Sequence, residues 1–149
     1  MIEYRKANLK DIQCLVQYRK QQLIDEGEIF DNEIDNDLSD YFLSSISNNS
    51  LISWLAVDGD LVVATSGVCF YQLPPTPRNP SGKNAYITNM YTLPEYRKQG
   101  IGSRLLKLVI DEAKMLKYIV IRLHASTDGK SLYSKAGFND TEGYMALRL

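Results

Sequence analysis

Arg97-Lys98-Gln99-Gly100-Ile101-Gly102-Ser103 has the residue types and spacing to hold an anion. Two glycines one residue apart remove the Cβ atoms that would keep backbone N–H groups from a bound oxyanion. A strongly helical segment follows, and its first turn adds unpaired N–H groups and a partial positive charge. Arg97 and Lys98 bring full positive charges to the approach. The pattern suits a phosphate or pyrophosphate. It is not a Walker loop, because Gly102 is followed by Ser103-Arg104 where that loop needs Lys and then Ser or Thr. A dinucleotide fingerprint also fails. Leu105 stands where its third small residue belongs, and the loop lies far from the chain's first strand.

The elements that must position this loop read as an alternating α/β pattern. Ile2 to Lys6 is a short strand, and Asn8 caps a helix to about Glu26 that turns Ile12, Leu15, Val16 and Leu23 to one face. A second helix spans Asn36 to Ser47, with Leu38, Tyr41, Phe42 and Ile46 at helical spacing. Leu51 to Val57 and Leu61 to Tyr71 are strands joined at Asp58-Gly59. The run from Leu73 to Lys83 holds too many prolines for a helix or strand interior and is predicted as an irregular loop. Asn84 to Thr92 is the next strand. The main helix runs from Gly100 to about Leu116, burying Ile101, Leu105, Leu108, Val109 and Leu116. Tyr118 to Leu123 is a strand, Ser131 to Ala136 a short helix closed by Gly137, and the remainder to Leu149 fits one or two antiparallel strands.

At 149 residues the chain suits a single domain over residues 1–149, with enough length for a real core. The start of the chain has no apolar signal core, and no run approaches the ~18 apolar residues of a membrane span. Cys14 and Cys69 lack metal or redox spacing, which fits a reducing cytoplasm. With His124 as the only histidine, no metal site is expected. The net charge of −1 hides a segregation. Gln21 to Pro77 holds ten acids and no Lys or Arg, whereas Arg78 to Leu149 sets twelve basic residues against six acids. Eight of the sixteen residues from Asp25 to Asp40 are acidic. This balance argues against a nucleic-acid partner, since no uncompensated basic face dominates.

The glycine loop does not stand alone. Tyr86-Ile87-Thr88-Asn89-Met90-Tyr91-Thr92-Leu93-Pro94-Glu95-Tyr96-Arg97-Lys98-Gln99-Gly100-Ile101-Gly102, followed by Leu105-Leu106, resembles the central motif of the GNAT N-acetyltransferase superfamily. Leu132-Tyr133-Ser134-Lys135-Ala136-Gly137-Phe138 resembles that family's second hallmark, Leu-Tyr-x-x-x-Gly-Phe. The resemblance implies one α/β (α+β) domain. Its twisted, mostly antiparallel mixed sheet would be flanked by about four helices, with the central strands splayed apart.

It also implies acetyl-coenzyme A as donor and a primary amine as acceptor, with direct transfer in a ternary complex. The backbone from Arg97 through Lys98, Gln99, Gly100, Ile101 and Gly102 to Ser103 would hold the pyrophosphate. The strand through Met90, Tyr91 and Thr92 would splay at a bulge, leaving backbone groups of Met90 and Thr92 for pantetheine to pair with. The Met90 N–H would polarise the thioester carbonyl and steady the oxyanion that forms there. Its side chain can serve the core at the same time. Tyr133 is the candidate general acid for the departing thiolate: a phenol of ordinary pKa about 10 stays protonated at neutral pH.

Two positions depart from the family pattern. Many relatives carry a glutamate base on the central strand, where this chain reads Ile87-Thr88-Asn89. The base is therefore unassigned, with Glu33, Asp31 or a water chain as candidates. Ser126 stands where an asparagine commonly contacts pantetheine, and a hydroxyl makes fewer bonds than an amide. His124 ends a buried-looking strand and reads as a structural histidine, and Trp54 reads as core. The loop from Leu73 to Lys83 is either a wall over the acceptor or a surface excursion.

The acidic segment includes the first two helices and their connection, which in this family shape the acceptor side, so a cationic small-molecule amine is favoured. An acceptor on a protein or peptide, or an acyl-coenzyme A sensor without catalysis, are the alternatives. A homodimer is left open.

Overall fold

The computed structural model describes residues 1–29, 33–141 and 143–149. The elements are β1 (Ile2–Lys6), a 3-10 turn (Leu9–Asp11), α1 (Ile12–Asp25), α2 (Asp35–Ser47), β2 (Leu51–Asp58), β3 (Leu61–Gln72) and β4 (Lys83–Thr92). After a second 3-10 turn (Pro94–Tyr96) come α3 (Ile101–Met115), β5 (Ile121–Arg122) and α4 (Lys130–Lys135). The five strands form one sheet in chain order. β1 to β4 pair antiparallel, and β5 is parallel to β4.

Helices cover both faces. Leu15 and Val16 of α1 and Phe42 of α2 pack on Leu51, Leu55 and Val57. On the other face α3 buries Ile101, Leu105, Leu106, Val109 and Ala113. Burying each such side chain contributes roughly 1.5–3 kcal/mol. The predicted face of α3 shifts slightly: Leu106 is buried, while Leu116 ends the helix and is exposed. No helix among the described residues is long and apolar enough to cross a membrane.

Two features of β4 position the site. Its ladder with β3 runs from Tyr91 opposite Thr65 to Thr88 opposite Gly67, so Asn89 and Met90 share the place of one β3 residue. This bulge takes Asn89 to φ +55°. Thr65 Oγ1 fixes it by donating to the Asn89 carbonyl at 2.8 Å. Gly67 lies beneath, where a Cβ would come within 3.3 Å of the Thr88 carbonyl. On its other side β4 pairs with β5 only at Ala85 and Tyr86. Beyond Tyr86 the two strands part.

That parting leaves Leu123 without a partner, and before Ile121 only the Ala85 N–H to Val120 carbonyl bond at 3.2 Å forms, so the predicted Tyr118–Leu123 strand shrinks to Ile121–Arg122. The strands expected after Gly137 do not form among the described residues. Tyr144, Met145, Leu147 and Leu149 are exposed there. The proline segment is more ordered than predicted. Thr76 and Asn79 bridge each other, and Asn79 Nδ2 donates to the Lys83 carbonyl at 2.9 Å, closing a compact turn at the tip of the β3–β4 hairpin.

Candidate active site

A cleft of 1290 Å³ opens where β4 and β5 part, and it reaches the glycine loop. At one end the loop backbone is bent by left-handed residues, Lys98 at φ +60° and Gly100 at φ +83°. Lys98 in that conformation is strained by roughly 1–2 kcal/mol. Gly100 caps α3 with no side-chain hydrogen bond, and nothing lies within 4 Å of where its Cβ would be. The first amides of α3 are therefore left to whatever anion sits in front of them.

Met90, Tyr91, Thr92, Arg97, Lys98, Gly100, Gly102, Ser103, Ser126 and Tyr133 all line this cleft. Gln99 and Ile101 do not. Gln99 turns outward and donates Nε2 to the Glu95 carbonyl at 3.0 Å. Ile101 turns into the core with Leu105 and Val63. Only their backbone can serve the loop.

Met90 has no register partner on β3 or on β5, while its side chain packs against the core cluster that contains Ile87, Leu106 and Tyr133. Thr92 stands opposite Ala64, but the ladder bond there runs from the Leu93 N–H to the Val63 carbonyl, so the Thr92 backbone groups face away from β3; its carbonyl accepts from Arg97 Nε at 2.9 Å because the arginine folds back along the strand. Arg97 also reaches Asp25 of α1 at 3.1 Å. Ser126 Oγ accepts from the Gly129 N–H at 3.1 Å, so the hydroxyl stiffens the turn before α4 and keeps its own proton and one lone pair for a ligand.

Tyr133 is 8% exposed and meets Phe138 edge-on at 6.0 Å. Burial, with Glu26 and Tyr86 nearby, pushes its hydroxyl up to about 12. It holds its proton at any physiological pH.

The acidic half meets the basic half here. Asp25 and Glu26 of α1 line the cleft with Arg19 and Gln22, opposite Arg97 and Lys98. The carboxylates suggested as base stand elsewhere. Glu33 lies outside the cleft and pairs with Lys20 at 3.4 Å, and Asp31 lies outside the described residues. Trp54 packs between the sheet and α3, with Nε1 donating to the buried Glu112 at 3.1 Å. No residue from 73 to 83 lines the cleft, so the proline turn is no wall over it. Among the described residues, no three His, Cys, Asp or Glu side chains gather to hold a metal ion.

The sequence reading misplaced His124. It lies past the end of β5, exposed, in the cleft wall, hydrogen-bonded through Nδ1 to the Tyr86 hydroxyl. Tyr86 carried no local signal. Only the register of β5 against β4 brings the two together.

Comparison with known proteins agrees with this geometry. A family model described as the acetyltransferase (GNAT) domain matches residues 49–140. A predicted acetyltransferase from Clostridium acetobutylicum, whose crystal structure contains acetyl-CoA, is 42% identical, with a TM-score of 0.96 over 99% of this chain and 96% of that one. A GCN5-related N-acetyltransferase from Ralstonia eutropha shares the fold at TM-score 0.89 and 23% identity, covering 99% of each chain. Glucosamine-6-phosphate N-acetyltransferase from Arabidopsis thaliana shares it at 0.77 and 17%, over 99% of this chain and 98% of that one. No curated protein matches the chain. The chain belongs to the GNAT acetyltransferase family.

Proposed function

We propose that this protein transfers an acetyl group from acetyl-CoA to a primary amine on a cationic small molecule, within a ternary complex. One observation carries the reading. A single cleft joins a left-handed glycine loop and uncapped helix at one end to an unpaired bulge residue and a buried tyrosine in its middle. A further support is the acetyl-CoA in the crystal structure of the relative that is 42% identical.

The donor fits the residues present. Amides from Arg97 to Ser103, with the Lys98 charge, would take the pyrophosphate. The edge that β4 exposes beyond Tyr86 would take pantetheine as an added strand. The Met90 N–H would donate to the thioester carbonyl oxygen, where negative charge grows as the amine attacks. Tyr133 would donate to the departing sulfur. Direct attack is favoured over an acyl-enzyme, because a cysteine nucleophile must be a thiolate. Neither Cys14 nor Cys69 lines the cleft, and burial pushes Cys14 up to about 11 and raises Cys69 as well.

Glu26 at the α1 wall favours a positively charged acceptor, Asp25 beside it being paired with Arg97. A panel of polyamines, amino sugars and neutral amines, followed by free-thiol release at low and high salt, tests this. Polycationic amines should react fastest, and their KM should rise with salt. Faster turnover of neutral or anionic amines refutes the charge argument. Acetyl-CoA binding without thiol release from any amine refutes the enzyme reading.

A further inference from the structure

The carboxylate that many relatives use as general base has no counterpart here, but the cleft holds an imidazole. β4 and β5 pair for the last time at Tyr86 opposite Arg122, and His124 follows two residues later at the fork. Its ring meets that of Tyr86 at 5.7 Å between centroids, tilted by 54°, with Nδ1 on the phenol oxygen. The phenol oxygen can accept from Nδ1 and point its own proton elsewhere. In the tautomer with its proton on Nδ1, the ring leaves Nε2 with a free lone pair. Tyr86, His124, Glu26 and Tyr133 line the same cleft, so the fork and the candidate acid face a common space.

We propose that His124, oriented by Tyr86, accepts the proton that the acceptor's ammonium group must lose before it attacks. The inference rests on the acetyl-transfer reading and deepens it. An imidazole is the side chain whose ordinary ionisation suits proton acceptance near neutral pH.

The protons balance. The ammonium gives one to Nε2, and the free amine forms the N–C bond as the C–S bond breaks. Tyr133 donates its proton to the sulfur. The nitrogen then loses its second proton, which restores Tyr133. One proton leaves the exposed imidazole for water, giving the amide, the free thiol and one released proton. His124 is thus a catalytic residue and Tyr86 a positioning residue. The titratable and charged side chains that line the cleft with the imidazole are Tyr86 and Tyr91 from β4, Arg19 and Asp25 from α1 with Glu26 at its end, Tyr96, Arg97 and Lys98 from the glycine-loop side, Asp128 from its own loop, and Tyr133 and Lys135 from α4.

Two measurements on the untagged full chain test this, and the first needs no turnover. His124 is its only imidazole, so nitrogen NMR of labelled protein reads one ring. The neutral form should carry its proton on Nδ1, and Tyr86→Phe should move it toward Nε2. A wild-type proton on Nε2 overturns the proposal.

The second is kcat/KM against pH for a polyamine that the wild type acetylates. His124→Gln should lose about 10- to 100-fold at pH 7. The deficit should narrow above pH about 9, where the amine deprotonates unaided. Added imidazole should rescue His124→Ala, and Tyr86→Phe should lose less than His124→Gln. Acetyl-CoA affinity should be unchanged in each. An unchanged profile, or an equal loss at every pH without rescue, overturns the proposal. Wild type that binds acetyl-CoA yet acetylates nothing refutes acetyl transfer itself, while the tautomer still judges the His124 geometry.

Discussion

Replacing Tyr133 by phenylalanine removes one oxygen and keeps the ring. The edge contact with Phe138 survives, as does the close fit over Gly129, where a Cβ would come within 3.1 Å of the Tyr133 ring. The hydroxyl makes no hydrogen bond among the described residues, so no partner is stranded and stability should stay within about 0.5 kcal/mol.

Turnover should not. At about 12 the phenol is a weak acid, well above a thiol's ordinary value of about 8.5. The Tyr133 O–H can still hydrogen-bond the sulfur as negative charge grows on it. A hydrogen bond to a charged atom contributes roughly 1.5–3 kcal/mol, so its loss should lower kcat about 10- to 100-fold. Thiol release at saturating amine gives kcat, and calorimetry gives the acetyl-CoA Kd, which should change less than about twofold. An unchanged kcat would remove Tyr133 as the acid. A fall in affinity matching the fall in rate would make it a binding residue instead.

Gly100→Ala places a methyl group at φ +83°, costing about 1–2 kcal/mol in the unfolding free energy. It should also weaken acetyl-CoA binding, and an unchanged Kd by calorimetry would detach the loop from the donor. The alkaline limb of stability follows from buried protonated groups. Burial raises Cys14 from 9.0 to about 11 and Tyr18 from 10.0 to about 12. Above the ordinary values the unfolded chain releases protons that the folded one keeps, so stability is full below pH 9 and falls progressively toward pH 12. Urea midpoints at pH 8, 9.5 and 11 should decline in that order, and a flat series refutes the burial argument.

The central elements were legible because their signals are local. The alternation from Lys83 to Thr92, the helical spacing of Ile101, Leu105 and Val109, and the Gly-x-Gly between them each announce a structure within ten residues or so. The loop's placement at one end of the cleft follows from that succession alone.

What was hidden depends on contacts distant in sequence. Tyr118 to Leu123 is as β-branched as a full strand, yet a strand extends only as far as its partner, and the pairing with β4 holds at Ala85 and Tyr86 alone. The apolar run from Tyr144 to Leu149 read as a strand for the same local reason. Asn79 organises the proline turn through its side chain, which composition does not reveal. His124 was misread because an apolar strand before it suggested burial, whereas its place depends on where β4 and β5 separate.

The extra residue at Asn89 has a consequence for every position after it. Side chains on a strand alternate between faces, so one insertion exchanges the roles of odd and even numbers. Tyr86 looks toward α1, and strict alternation by number would send Met90 there too. Instead Tyr91 meets Tyr18 of α1 at 5.3 Å, tilted by 43°, and Met90 joins the α3 side with Ile87. Deleting Asn89 would leave Tyr91 opposite Thr65 and both side chains on these faces, but would put Met90 back into the ladder opposite Ser66 and close the kink. Homologous chains should therefore tolerate changes of residue type here far more readily than any change of length.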